Sequence, residues 1–115
     1  MAWHNTLGKL GEEKVRHYLL EKGCTILEQN WRLGRIEVDF IILDGQELVV
    51  VEVKTRRRPD DYPGELLSRG KCKRLLVAGA AYLERHRIKR EIRFDLIIVS
   101  GKEMKIEHLR DAIRV

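Results

Sequence analysis

Residues 37–54 read Glu37-Val38-Asp39-Phe40-Ile41-Ile42-Leu43-Asp44-Gly45-Gln46-Glu47-Leu48-Val49-Val50-Val51-Glu52-Val53-Lys54, two apolar runs hinged at Asp44-Gly45. Asp-Gly between two such runs is a strong short-range hairpin signal. A two-residue Asp44-Gly45 loop places Asp39 opposite Val50 and Glu37 opposite Glu52. Opposed residues share a face, as do alternate residues along one strand. Glu37, Asp39, Glu52 and Lys54 therefore fall on one face, and Val38, Phe40, Val49, Val51 and Val53 on the other. Carboxylates are rarely left in strands this apolar without a partner. A three-residue loop would break the register and separate Asp39 from Glu52.

The elements around the hairpin can be read outward from it. Before it, Asn5 or Thr6 caps a helix that runs to about Lys22 and stops at Gly23. Leu7, Leu10, Gly11, Val15, Tyr18 and Leu19 form its apolar stripe. Gly11 within that stripe implies close approach to a sheet. Glu12 lies at the stripe's margin, where it can reach a site on the sheet, whereas Glu13 points to solvent. Thr25 to Trp31 is a strand, followed by a turn at Leu33-Gly34; Arg35 to Leu43 and Gln46 to Thr55 are the hairpin strands. Thr55 to about Leu67, with Pro59, Pro63 and Gly64, is an exposed loop beside the carboxylates. A second helix spans Ser68 to about Arg85, with Cys72, Leu75, Leu76, Gly79, Ala80 and Leu83 packed. Glu91 to Val99 alternates as a strand, and Met104 to Leu109 forms a last short one. The order αβββαββ predicts an α/β sandwich with a central mixed sheet.

The 115 residues are enough for a single domain, 1–115, with one core. A 43% hydrophobic and 36% charged composition is that of a soluble globular protein. No apolar run reaches signal-peptide or bilayer length, which excludes a membrane protein and points to the cytoplasm. Cys24 and Cys72 lack framework or zinc spacing and read as reduced thiols. His4, His17, His86 and His108 show no ligand spacing, and no phosphate-binding glycine loop is present. Charge is distributed unevenly. Residues 1–53 carry 6 Lys/Arg against 9 Asp/Glu, residues 54–93 carry 13 against 5, and residues 94–115 carry 4 against 4. The basic middle suits a polyanionic partner, although a solvated basic face gives the same count.

Crowded carboxylates on an apolar sheet repel one another, and a divalent cation removes that cost. Mg²⁺ (or Mn²⁺) takes oxygen ligands and keeps several waters. Asp39 and Glu52 are the expected ligands, with the Val53 carbonyl as a third and Glu12 holding a water or a second ion. Such an ion polarises a phosphoryl oxygen and acidifies water, while Lys54 offsets charge on the phosphate. Asp39, Glu52 and Lys54, two carboxylates and a lysine on adjacent strands, are thus the minimum kit for phosphodiester hydrolysis, with Glu12 either joining them or lying at the surface of its helix. The competing reading of Glu52-Val53-Lys54 is a surface ion pair of little energetic weight. Trp3, Trp31 and Tyr62 are available for base stacking, but packing suits them better.

Six segments follow one another along the chain: Gly8-Lys9-Leu10-Gly11-Glu12, Gln29-Asn30-Trp31-Arg32, Ile36-Glu37-Val38-Asp39-Phe40-Ile41, Val51-Glu52-Val53-Lys54-Thr55-Arg56, Lys71 with Lys73-Arg74, and Arg93-Phe94-Asp95. In them the chain resembles the YraN family of small bacterial proteins, within the restriction-endonuclease-like PD-(D/E)xK nuclease superfamily, and is similar to archaeal Holliday junction resolvases. It implies a restriction-endonuclease-like three-layer sandwich and catalytic roles for Glu12, Asp39, Glu52 and Lys54. Two positions depart from the pattern: Ile36 replaces the usual glycine before Glu37, and Val38 replaces the superfamily's proline beside the aspartate.

These readings converge on a Mg²⁺-dependent endonuclease acting on branched or structured DNA. Arg56, Arg57, Arg58, Lys71, Lys73 and Arg74 are the expected phosphate contacts, and a homodimer is plausible by analogy with resolvases. The alternative is a nucleic-acid- or partner-binding protein that keeps the fold without turnover.

Overall fold

A computed structural model describes residues 2–58 and 67–113. Among them, α1 (Ala2–Glu21), β1 (Thr25–Leu33), β2 (Ile36–Asp44), β3 (Glu47–Arg56), α2 (Arg69–Arg85), β4 (Ile92–Ser100) and β5 (Lys105–Leu109) follow one another in the expected order. The five strands lie in the order β1-β2-β3-β4-β5. All neighbours are antiparallel except β3 and β4, which pair in parallel across the α2 crossover.

Alternation along the strands splits the core into two layers. Phe40, Ile42, Val49, Val51, Ile97 and Val99 pack with Val15 and Leu19 of α1. Ile41, Leu48, Val50 and Phe94 pack with Leu75, Ala78 and Tyr82 of α2. The sheet is therefore sandwiched between the helices, the three-layer α/β arrangement of restriction-endonuclease-like folds. Both helices approach closely at glycines. A Cβ on Gly11 would collide with the Thr55 methyl, and one on Gly79 would stand 2.9 Å from the Phe94 ring.

Several boundaries differ from the sequence reading. Asn5 and Thr6 lie inside α1 rather than capping it. Leu10 faces solvent, 48% exposed, because Leu7, Gly11, Val15 and Leu19 already complete the stripe. The packed face of α2 is Leu75, Ala78, Gly79 and Tyr82, leaving Ala80 exposed. Tyr82 rotates inward because its hydroxyl donates to Glu28 Oε2 at 3.1 Å and its ring meets Trp31 edge-on. β3 runs one residue past the expected Thr55, to Arg56, and most of the expected loop, including Pro59, Tyr62, Pro63 and Gly64, lies outside the described residues.

The hairpin turn is Gly45-Gln46, not Asp44-Gly45: Asp44 pairs with Glu47 and Phe40 with Val51. Gly45 has φ +63 and Gln46 has no positive φ, so the glycine occupies the first central position, as in a type II′ turn. Two like charges facing each other would destabilise the pair. Here Arg93 on β4 reaches both, with Nη2–Asp44 Oδ2 at 2.9 Å and Nη1–Glu47 Oε1 at 2.8 Å. The register thus slips by two residues, which leaves the paired residues, 40–44 and 47–51, on their expected faces.

Candidate active site at a fork in the sheet

The β2–β3 ladder has its last pair at Phe40 and Val51, whereas β1 and β2 stay paired to Leu33 and Ile36. Beyond Phe40, β2 follows β1 and diverges from β3. Asn30 on β1, at φ +55, marks the bend. This fork changes two expectations. Val38 turns into the α2-side core instead of sharing a face with Phe40. Glu37 does not oppose Glu52; it is half exposed and pairs with Arg32 at 3.1 Å.

Asp39 stands at the fork's apex. Its Oδ2 accepts from Val53 N–H at 2.7 Å, taking the place of a strand carbonyl. A strand residue presents its N–H and C=O to the same side, so the Val53 carbonyl faces the fork as well. Glu52 is next to it on β3, its side chain 4% exposed. Lys54 Nζ lies 3.6 Å from Glu52 Oε2, and Lys71 Nζ, entering from the first turn of α2, lies 3.4 Å from the same oxygen. Ser68 caps that turn by accepting from Lys71 N–H at 3.1 Å, which fixes where the lysine departs. Glu12 reaches the fork from α1, placed there by the close approach at Gly11, with the amides of Gln29 and Asn30 beside it.

The electrostatics of this cluster are unbalanced. Burial raises the Glu52 pKa to about 7, with Asp39 repulsion adding to it and the two lysines opposing it. Burial also raises Asp39, despite the Val53 N–H and Lys71, and raises Glu12, with Asp39 adding to the effect. Asp39 and Glu52 interact strongly enough to titrate as a pair, each carboxylate making it harder for the other to ionise. Among the described residues, no hydrogen-bond donor reaches two buried carboxylate oxygens, Glu12 Oε1 and Glu52 Oε1. Native structures seldom leave such atoms bare.

That donor set fits a hard divalent cation. Among the described residues, no three His, Cys, Asp or Glu side chains converge tightly enough to hold an ion alone. The ligands would instead be Asp39 and Glu52, with the Val53 carbonyl and water completing the shell and Glu12 set further back. A two-carboxylate, water-rich site suits Mg²⁺ or Mn²⁺.

The basic residues divide into separate groups. Arg56 is committed inside the fold: its Nε donates to Ser100 Oγ at 2.7 Å, and Nη2 lies 3.9 Å from Glu107. Arg57 and Arg58 are exposed where β3 ends, and Lys73 and Arg74 are exposed on α2 just past Lys71. Lys71, expected as a backbone contact, belongs to the carboxylate cluster. Its position depends on how α2 crosses the sheet, which spacing along the chain does not reveal.

Sequence reasoning missed a second polar centre, around Asp95 on β4, which pairs with Val51 and faces the α1 side of the sheet. Asp95 is fully buried and accepts from Arg93 Nε and Asp111 N–H, each at 2.9 Å; its Oδ2 meets His108 Nε2 at 2.8 Å. His108 Nδ1 in turn meets the Tyr18 hydroxyl at 2.8 Å. Burial alone would raise Asp95, but His108, Arg93 and the Asp111 N–H together hold it down at about 2. Every Asp95 lone pair is engaged, so this centre ties the hairpin turn, β4, β5 and α1 together. The signal available in sequence was a lone aspartate in the otherwise apolar stretch Phe94 to Val99.

Among the described residues, no helix is long and apolar enough to cross a membrane. Residues 11–99, from Gly11 beside the fork through β4, match the model of "Uncharacterised protein family UPF0102". Similar proteins span nearly the whole chain. A UPF0102 protein of Flavobacterium psychrophilum is 43% identical over 97% of each chain. One of Bacteroides fragilis is 38% identical over 97% of this chain and 95% of its own. One of Rhodococcus opacus is 38% identical over 97% of this chain and 99% of its own. The chain belongs to the UPF0102 (YraN) family.

Proposed function

We propose that the fork is the active site of a Mg²⁺- or Mn²⁺-dependent endonuclease that hydrolyses phosphodiester bonds in branched or structured DNA. One observation carries the reading: three carboxylates with raised pKa values face the fork, and two of them keep a buried oxygen that no donor among the described residues reaches. A divalent cation held by Asp39, Glu52 and the Val53 carbonyl supplies Lewis-acid polarisation of the phosphate and acidifies water. Glu12, on the far side of the fork, accepts a hydrogen bond from water and orients it. Lys54 places positive charge where the phosphate oxygens gain negative charge. Arg57 and Arg58, exposed where β3 ends, and Lys73 and Arg74, exposed on α2, give phosphate binding without base readout. Cutting both strands of a junction requires two such sites, which a homodimer would provide.

The test is cleavage of end-labelled four-way junction, flap and single-stranded DNA with Mg²⁺ or Mn²⁺, comparing wild type with Asp39→Ala. Cleavage by wild type that the variant loses supports the reading. Identical traces from the two proteins reject it, and DNA binding at low salt without cleavage then favours a binding protein that keeps the fold.

A further inference from the structure

Glu52 Oε2 has two ammonium groups on it, from Lys54 and Lys71, while no donor among the described residues reaches its Oε1. Lys54 shares the strand with Glu52, but Lys71 comes from a different element, and its turn is fixed by the Ser68 cap. The side chain of Lys71 is 30% exposed, so its ammonium reaches both the buried carboxylate and the open side of the fork.

Charge arithmetic shows what this second lysine does. Glu12, Asp39 and Glu52 bring three negative charges, and Lys54 and Lys71 two positive ones. With a divalent cation added, the cluster carries one net positive charge, which a single phosphodiester neutralises. Once Asp39 and Glu52 are committed to the cation, neither lysine keeps a carboxylate for itself. Two ammonium groups, one on the sheet and one on α2, then face the entering phosphate.

Resting on the endonuclease reading above, we propose that Lys71 is a second catalytic lysine. It stands in for the metal on Glu52 in the metal-free protein and moves to a non-bridging oxygen of the scissile phosphate when metal and DNA are bound. It is thus distinct from Lys73 and Arg74, three residues or fewer away, which contact flanking phosphates only.

The experiment compares wild type, Lys71→Met, Lys71→Arg and Lys73→Met by three measurements. The first is Mn²⁺ affinity by calorimetry without DNA, at about pH 9 so that Glu52 is ionised. The second is junction affinity in Ca²⁺, and the third is the single-turnover cleavage rate at saturating protein. Lys71→Met should bind Mn²⁺ several-fold to about tenfold tighter, because a competing cation a few ångströms away is gone. It should cleave about 10–100-fold more slowly while binding the junction within about threefold of wild type. Lys71→Arg should recover part of the rate. Lys73→Met should instead weaken junction binding and leave Mn²⁺ affinity unchanged. A Lys71→Met protein that matches Lys73→Met in all three overturns the proposal, as does one with tighter Mn²⁺ binding but a wild-type rate. Wild type that neither binds Mn²⁺ nor cleaves overturns the endonuclease reading itself; an active wild type with an indifferent Lys71→Met overturns only the role of Lys71.

Discussion

Replacing Glu52 by Gln should stabilise the metal-free protein, although it removes the residue placed at the centre of the site. The magnitude follows from the raised pKa. An ordinary glutamate titrates near 4.5, and burial beside Asp39 raises this one to about 7. The folded state therefore binds the proton more tightly than the unfolded chain. Stability is fully present below pH 4.5 and is lost as pH rises through about 7. The interval corresponds to about 3 kcal/mol. That is a ceiling, because Asp39 relaxes when its neighbour is neutral. The Glu52 side chain is 4% exposed, so solvent screening removes little of it. Glutamine keeps the neutral form at every pH. Urea denaturation in chelator should show Glu52→Gln more stable than wild type by about 1–3 kcal/mol at about pH 9, a rise of several degrees in Tm. Near pH 4 the two should be alike. Adding Mn²⁺ should then stabilise wild type through mass action and leave the variant unmoved. A Glu52→Gln protein less stable than wild type at pH 9 would refute the reasoning, since Glu52 would then be a satisfied structural ion.

The Asp95 centre should behave oppositely. Its pKa is lowered, so its contribution is present above about pH 4 and is lost as pH falls through about 2; wild type should lose about 2 kcal/mol over that window, and Asp95→Asn should lose little there, as read by acid titration of the circular dichroism signal. At neutral pH Asp95→Ala should cost about 3–5 kcal/mol, because Arg93 and His108 lose a buried partner; a loss under 1 kcal/mol would show that the network is dispensable. Gly11→Ala should destabilise by about 1–3 kcal/mol despite the better helix propensity of alanine, because the added methyl meets Thr55 Cγ2. Thr55→Ser removes that methyl and should rescue most of the loss, and a double-mutant cycle with no coupling would contradict the close approach.

The fold was legible because its signals were redundant. Hydrophobic periodicity, glycines inside helical stripes and an Asp-Gly hairpin marker each pointed to the same element order. The fork was not legible. Alternation placed Glu37 opposite Glu52, but pairing rules describe a continuous ladder, and this one parts after Phe40. The register slip at Gly45-Gln46 has the same origin: Arg93 lies 46 residues from Glu47 in sequence yet 2.8 Å away in space, and it makes an acidic closing pair tolerable. Asp39, Glu52 and Lys54 could be picked out because ionisable groups in apolar strands are conspicuous, whereas Glu12, at the margin of a helical stripe, was singled out by the family resemblance. Lys71 could not, because in sequence it is one cation in a basic run and only the α2 crossover gives it a carboxylate.

The most direct test of the account is the proton released when Mn²⁺ binds. Glu52 is about half protonated near pH 7, and a ligand carboxylate must be ionised. Calorimetry in buffers of different ionisation enthalpy should show about half a proton released per ion near pH 7 and close to none near pH 9, with no saturable binding to Glu52→Gln. Binding of equal affinity to wild type and Glu52→Gln, with no proton released, would mean that the fork is not a metal site and would contradict the account.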